Sequence, residues 1–573
     1  MAIPLSRKRA PLPLWARIAA VILLLALPLL GRFVDLAADP PLNVAFIHAF
    51  ATDEGYYSAH ARAIALFGES VPPAYWDSHR VTPLYDWILQ STFRLLGVSF
   101  VTLRLPQVLL GIATVALLYL LLRREAGPTA ARWAAFFLAW SHIFIVFNRV
   151  GMYHTLLTAL CTAGALAWLR AWRRPAWFLA CGLAAACILL TSLFGVLFFG
   201  GLTLATVAVL LWGGERTSSP AAGRAPASSR LRSPLFSPLQ LRRAHLFFAL
   251  GGVLLAVLPL IGLLVLPGRA LVLRDLARSG ALPLYTTLLQ VVGNLFFFLY
   301  TPFFLLNLVP LSGMVLYTAQ VVGRWRRERG VEPLAALLLG WFWSGALVLA
   351  VVNYRPPRYF LYLLPALCAA LALVITRWER YREGGRRLAW WPAAALAISG
   401  ALLLLDRMGA QRYQGGVLWW IGVALSGGTV MLASLFLRAP PSRTALARIA
   451  PLLGVVCLLA NGLWGLEAWL GRAHTLPEVS QELGRTLPAD ALLLHGCTLS
   501  LETRLHCLPM IASDELDPAE LSAFRLFYFA ESPDEVLPGD SLWGNWPVLD
   551  SAPYLYEVAP GRRTLEGLKL GHY

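Results

Sequence analysis

GVSFVTLRLPQVLLGIATVALLYLLLRR, residues 97–124, carries an apolar run over 100–122 that closes on the paired charges Arg123 and Arg124. A helix needs about 20 such residues to cross the roughly 30 Å hydrocarbon layer, and a basic pair at its end marks the cytoplasmic side. The pattern recurs along the chain. Of 573 residues, 58% are hydrophobic and 14% charged, and mean hydropathy is +0.64, more apolar surface than one soluble core can hide. Spans are predicted at 14–34, 100–122, 129–148, 152–172, 176–193, 195–213, 245–266, 302–323, 333–352, 357–376, 389–405, 417–437 and 449–469. The weakest boundaries are the split at Gly195 and the stretch 283–300, which reads as an amphipathic helix on the outer surface.

The net charge of +17 is not a nucleic-acid footprint, because its arginines gather in short loops between apolar runs. Starting from a cytoplasmic N-terminus with Arg7, Lys8, Arg9 and Arg17, the inside loops carry Arg123 and Arg124, Arg170 with Arg173 and Arg174, the Arg/Ser/Pro segment 214–243, and the basic segments 324–329, 377–387 and 438–448. The fold class is therefore an all-α polytopic membrane protein with about thirteen helices, located in the plasma membrane. The first run is read as an uncleaved anchor, although LAADP (36–40) resembles a cleavage site. Residues 1–469 form the membrane part, with a long outer loop at about 36–99, and residues 470–573 a small extracytoplasmic α/β domain. That tail holds 15 of the 31 acids. In it SQELGRTL (480–487) reads as a helix, and ALLLHGC (491–497), FRLFYFA (524–530) and YLYEVA (554–559) as strands. Cys497 and Cys507 are its only cysteines, either a disulfide or two buried thiols.

Chemistry has to come from polar groups at the outer rim. Ten acids of the membrane part lie there, and seven of them (Asp35, Asp39, Asp53, Glu54, Glu69, Asp77 and Asp86) fall between the first two spans. A loop so long, and so rich in Tyr, Trp, His and Arg, is more than a connection. Its segment 82–97 has helical spacing of Leu84, Trp87, Ile88, Ser91 and Leu95, and is expected along the interface with Trp87 and Tyr85 as headgroup anchors. Asp53 and Glu54, being adjacent, face different directions. One can serve as a general base while the other orients it or binds a metal. Glu54 with His60 or His79 supplies ligand types for a divalent cation, without a motif spacing. A transporter or lipid flippase is the competing reading; it would place ionisable residues at mid-depth, where the predicted spans have almost none.

The acid pair 53–54 followed by Y-x-x-x-A-x-x-I (57–64) and P-L-Y (83–85) resembles family 39 of the membrane glycosyltransferases, which includes protein O-mannosyltransferases and the lipid A aminoarabinose transferase. So do GVSFVTLRLPQVLLGIATVALLYLLLRR (97–124), HIFIVFNRVGMYHTLLTAL (142–160) and NYRPPRYFLYLLPALCAALA (353–372), in order and spacing over residues 14–376. The resemblance implies a GT-C-type enzyme that moves a sugar from a polyprenyl-phosphate donor to a lipid, glycan or protein acceptor at the outer leaflet, with inversion. It implies Asp53 as the base that deprotonates the acceptor and Glu54 as its companion. The departing phosphate needs cations: Arg358 first, then Arg355, Arg149, Arg80 and His79. Tyr359 is expected to be an interface or carrier contact rather than a catalyst. Many relatives place a second acid at the start of span four, where this chain has Tyr153 and His154 after Arg149. The carrier needs a lipid-facing groove, for which the aromatic stretch 294–310 offers a wall.

Overall fold

In the computed structural model the described residues are 27–40, 53–68, 82–212, 238–265, 308–328, 330–351, 357–377, 474–494 and 497–508, isolated positions between 421 and 472, and the strands 525–530, 554–558 and 565–569. The helices are α1 (Leu27–Leu30), α2 (Asp53–Phe67), α3 (Pro83–Leu96), α4 (Phe100–Glu125), α5 (Pro128–Ala139), α6 (His142–Asn148), α7 (His154–Ala171), α8 (Trp177–Thr191), α9 (Val196–Trp212), α10 (Pro238–Val265), α11 (Leu308–Glu328), α12 (Pro333–Val351), α13 (Leu364–Thr376) and α14 (Thr475–Thr486). Short 3-10 turns, Leu193–Gly195 and Pro357–Leu363, precede α9 and α13. The first confirms the split at Gly195.

Among the described residues, α4, α12 and Arg358–Thr376 are long and apolar enough to cross a membrane, and the pair α5 and α6 would make a fourth. The predicted span 389–405, all but three positions of 417–437, about half of 449–469, and most of 14–34, 283–300 and 294–310 lie outside the described residues.

The run 129–148, expected as one straight span, is instead bent by 63° between α5 and α6. A break inside a membrane exposes backbone groups that only protein can satisfy there. Two distant side chains do so: Arg32 Nη2 donates to the Ala139 carbonyl at 3.0 Å, and the His142 N–H reaches Asn461 Oδ1 at 2.8 Å. Helices α9 and α12 pack backbone to backbone. A Cβ built on Gly201 would sit 2.5 Å from the Gly340 carbonyl, and one on Gly340 2.4 Å from that of Gly201, the small-residue contact by which helices associate in lipid.

Among the described residues there are two apolar cores. The larger runs through the helix bundle and includes Leu118, Phe144, Trp168, Trp341, Phe360 and Leu367. The second joins Tyr85, Leu89, Phe93, Phe100, Leu103 and Leu156 to Leu476, Leu483, Leu493, Leu499 and Leu501. No break in packing therefore coincides with residue 470. The strands β1 (Ala491–Leu494), β2 (His506–Leu508), β3 (Arg525–Ala530), β4 (Tyr554–Val558) and β5 (Leu565–Lys569) form one sheet in the order β2-β1-β3-β4-β5. β1 runs parallel to both neighbours and β3, β4 and β5 form an antiparallel meander. Helix α14 begins five residues before the stretch read as helical, at Thr475.

Candidate functional site

Asp53 opens α2, and Glu54 stands in the same first turn, where the positive end of the helix dipole favours carboxylates. Helical spacing puts position 53 on the face of Tyr57 and His60, and position 54 about 100° away with Ser58 and Ala61. The side chain of Asp53 lies outside the described residues; that of Glu54 is fully buried. Its Oε1 and Oε2 accept from Arg104 Nε and Nη2 at 2.8 and 2.7 Å, and Oε1 also accepts the Gly151 N–H. Arg104 spends its remaining donor group, Nη1, on the Leu36 and Ala38 carbonyls at 2.7 and 2.6 Å.

Local sequence explains how Arg104 arrives there. Ser99 caps α4: its Oγ accepts the Thr102 N–H at 3.1 Å, while Thr102 Oγ1 accepts the Ser99 N–H at 2.9 Å. This reciprocal cap fixes the first turn, so Arg104 emerges beside α2. On the other side, the non-helical link between α6 and α7 turns the Gly151 N–H onto Glu54. A carboxylate that already accepts three donors, in a fork geometry and away from water, has little capacity left for proton transfer or metal ligation. Glu54 therefore anchors the turn that carries Asp53.

The remaining candidates separate into groups. Arg149, expected near phosphate, donates from Nη1 to the Gly31 carbonyl at 3.2 Å and from Nη2 to that of Asp35 at 2.7 Å, holding the chain after α1. Arg358 is buried in the turn before α13, its guanidinium 5.7 Å from the centre of the Tyr359 ring. The His154 ring lies between Tyr153, at 4.0 Å, and Tyr359, at 5.7 Å, nearly parallel to both. Both His154 nitrogens are buried without a hydrogen-bond partner among the described residues. Tyr153 meets Tyr57 edge-on at 5.0 Å, so an aromatic series runs from the Asp53 face of α2 to Arg358. His79, Arg80 and Arg355 lie outside the described residues.

Glu54, His60 and His79 were the candidate metal ligands. Glu54 is taken by Arg104 and Gly151, and His60 Nδ1 pairs with Asp86 Oδ2 at 2.9 Å, to which Gln90 also donates at 2.7 Å. Among the described residues no three His, Cys, Asp or Glu gather to hold an ion, and both Glu54 and His60 are engaged by protein partners. Tyr85, expected as a headgroup anchor, is fully buried, whereas Trp87 is 57% exposed. Burial and the Glu54 charge hold the Tyr85 phenol well above its usual pKa.

Residues after 470 also reach α2. Arg62, 1% exposed, donates to the carbonyls of Leu501 (3.2 Å), Thr503 (2.8 Å) and Leu505 (2.8 Å). The Gly55 N–H meets Thr498 Oγ1 at 3.0 Å, and a Cβ on Gly55 would lie 2.0 Å from the Thr498 nitrogen. Phe67 stacks on His506 at 3.9 Å. Asp35, which takes a left-handed φ of 54°, binds Arg472 at 2.8 Å and His474 at 2.9 Å.

Residues 80–221 match the family model of dolichyl-phosphate-mannose-protein mannosyltransferase. In fold the chain is similar to ArnT from Cupriavidus metallidurans in the apo state (TM-score 0.55, 18% identity, 91% of this chain and 94% of that one). It is likewise similar to the same protein bound to undecaprenyl phosphate (TM-score 0.53, 17% identity, 89% and 93%). An uncharacterized protein of Aquifex aeolicus is 29% identical over 140 residues, 24% of this chain, and the match spans 28% of that relative's length. The matched segment contains the stretches 83–85, 97–124 and 142–160, and the fold is shared: the chain resembles the family 39-like membrane glycosyltransferases of the GT-C type.

Proposed function

We propose that the protein transfers a sugar from a polyprenyl-phosphate-linked donor to an acceptor at the outer face of the plasma membrane. The N-terminus is then cytoplasmic, with thirteen spans and residues 470–573 outside as an α/β domain. The observation that carries the reading is the seating of α2. Glu54, Arg104 and Gly151 fix the turn that presents Asp53, and the series Tyr57, Tyr153, His154 and Tyr359 links that face to the buried cation Arg358.

The chemistry is a single displacement. Asp53 takes the proton of the acceptor hydroxyl as its oxygen attacks the anomeric carbon, and the bond from that carbon to the phosphate oxygen breaks on the opposite face through an oxocarbenium-like state. Configuration inverts. The polyprenyl phosphate leaves with the negative charge, which Arg358 balances and to which His154 offers a ring N–H. Arg355, Arg80 and His79 remain further donors in this proposal. Glu54 moves no proton; it positions Asp53. The same series of aromatic rings would exclude water from the breaking bond.

The deciding experiment is transfer of labelled sugar from a polyprenyl-phosphate sugar by the purified protein in lipid, with Asp53→Asn as the comparison. A loss of about 10²–10⁴-fold is expected for a general base. Full activity in the variant would remove Asp53 from that role, and movement of the donor across the bilayer without transfer would establish a flippase instead.

A further inference from the structure

The loop that grips Arg62 holds two sulfur atoms that the transfer reaction does not use. Cys497 begins the loop and Cys507 sits in β2, where it pairs in register with Leu493 of β1. Both are thiols and both are buried. The segment between them is braced by its own hydrogen bonds. Ser500 Oγ donates to the Cys497 carbonyl at 3.0 Å, Thr503 Oγ1 to the Ser500 carbonyl at 2.8 Å, and the Leu505 N–H to Thr503 Oγ1 at 3.0 Å. Arg62 fills the inside of this loop with bonds to three of its carbonyls, and its Nη1 lies 4.0 Å from Cys507 Sγ. The two sulfurs lie within hydrogen-bonding reach of each other, and that contact, with the Arg62 charge, draws the Cys507 thiol down to about 6 against the effect of burial.

We propose that Cys497 and Cys507 are a disulfide site whose bond closes the loop around Arg62 and so fastens α2, the helix of Asp53, to residues 497–507. The arrangement suits the chemistry at each step. A thiolate is the attacking species in disulfide exchange, and the guanidinium beside Cys507 favours it. The Cys507 thiolate attacks one sulfur of an external disulfide, either glutathione disulfide or an oxidised dithiol protein, and expels the other as a thiolate. Cys497 then loses its proton and attacks Cys507 Sγ, releasing the second external thiol. Two electrons pass from the cysteine pair to the external disulfide, which leaves as two thiols. Arg62 loses only a weak sulfur contact and keeps its three carbonyl acceptors, so the clasp survives oxidation unchanged in its polar bonds.

The test equilibrates the purified full-length protein with glutathione disulfide or with dithiothreitol, then denatures it, alkylates it and maps its cysteines by mass spectrometry. With glutathione disulfide, peptides carrying 497 and 507 should be recovered as one linked species; with dithiothreitol both should be alkylated. The oxidised protein should melt at least ~3 °C higher than the reduced one, and its 497–508 segment should resist protease longer. Cys497→Ser and Cys507→Ser should each abolish the redox difference. Full alkylation of both cysteines after glutathione disulfide would overturn the site, as would linkage of either one to Cys161 or Cys368. A bond that forms without changing melting or proteolysis would overturn the fastening of α2. The mapping uses the native chain, so it decides the matter even where a serine variant folds poorly.

Discussion

Glu54 and Arg104 show how adjacent residues acquire different tasks. Removing one member of a buried pair leaves the other charge unpaired at a cost of about 3–5 kcal/mol. Glu54→Gln should therefore lower the melting temperature and the yield of folded protein more than Asp53→Asn does. A thermal melt of the two variants side by side checks this; equal melting would return Glu54 to the reaction. Arg358→Ala should raise the donor concentration needed for half-maximal transfer about 10–100-fold, the worth of a charge-assisted bond, with kcat less affected, as steady-state kinetics on the donor will show. At this scale the sequence singled out the acid pair and Arg358 as candidates, and of these the structure describes the side chains of Glu54 and Arg358, both buried. Arg104 was missed, although a signal existed: an arginine five residues into an apolar run needs a counter-charge, and the preceding loop holds seven acids. The bonds that Arg149 makes were not legible, because its acceptors, the Gly31 and Asp35 carbonyls, are backbone groups with no side-chain signature.

Among the elements, apolar runs placed the helices well where the backbone is regular and failed where it is not. The bend between α5 and α6 escaped because 129–148 is apolar throughout, and the bend is recorded only in the distant partners Arg32 and Asn461. Asn461→Ala should leave the His142 N–H without its acceptor and destabilise the protein by about 1–3 kcal/mol, measurable by thermal unfolding. The latch between the turn after α1 and the start of α14 depends on pH in a defined direction. The hydrogen bond from His474, and then the charges of His474 and Arg472, hold the Asp35 carboxyl below its usual range. A depressed carboxylate stabilises above its unfolded pKa of about 4 and loses that contribution as pH falls through the folded value. Acidification from pH 7 to below 4 should thus lower the protection factors (exchange relative to the intrinsic rate at each pH) near 472–478 in the wild type, and Asp35→Asn should exchange faster already at pH 7. The latch is partly exposed, so the effect is local and does not reach global unfolding. An unchanged exchange rate in the variant would show that the latch is silent.

For the whole molecule, the sequence led to a membrane part and a tail divided at 470, whereas packing joins Leu476, Leu483, Leu493 and Leu499 to Tyr85, Phe93 and Phe100 in a single core. Composition shifts reveal where solvent exposure changes, not where cores end, and the Arg62 bonds join residues 439–443 positions apart without any local pattern. Deleting residues 475–573 should therefore abolish transfer and also leave the membrane part prone to aggregation, which size-exclusion chromatography of the truncated protein will reveal. A monodisperse truncated protein with normal melting would show that the tail is dispensable to the fold. The Arg62 clasp also sets a time order. The turn bearing Asp53 is synthesised well before residues 501–505, yet its helix finds three of its buried acceptors only after those residues have been made. A nascent or prematurely ended chain therefore leaves α2 unfastened until the distant segment that clasps it has been made.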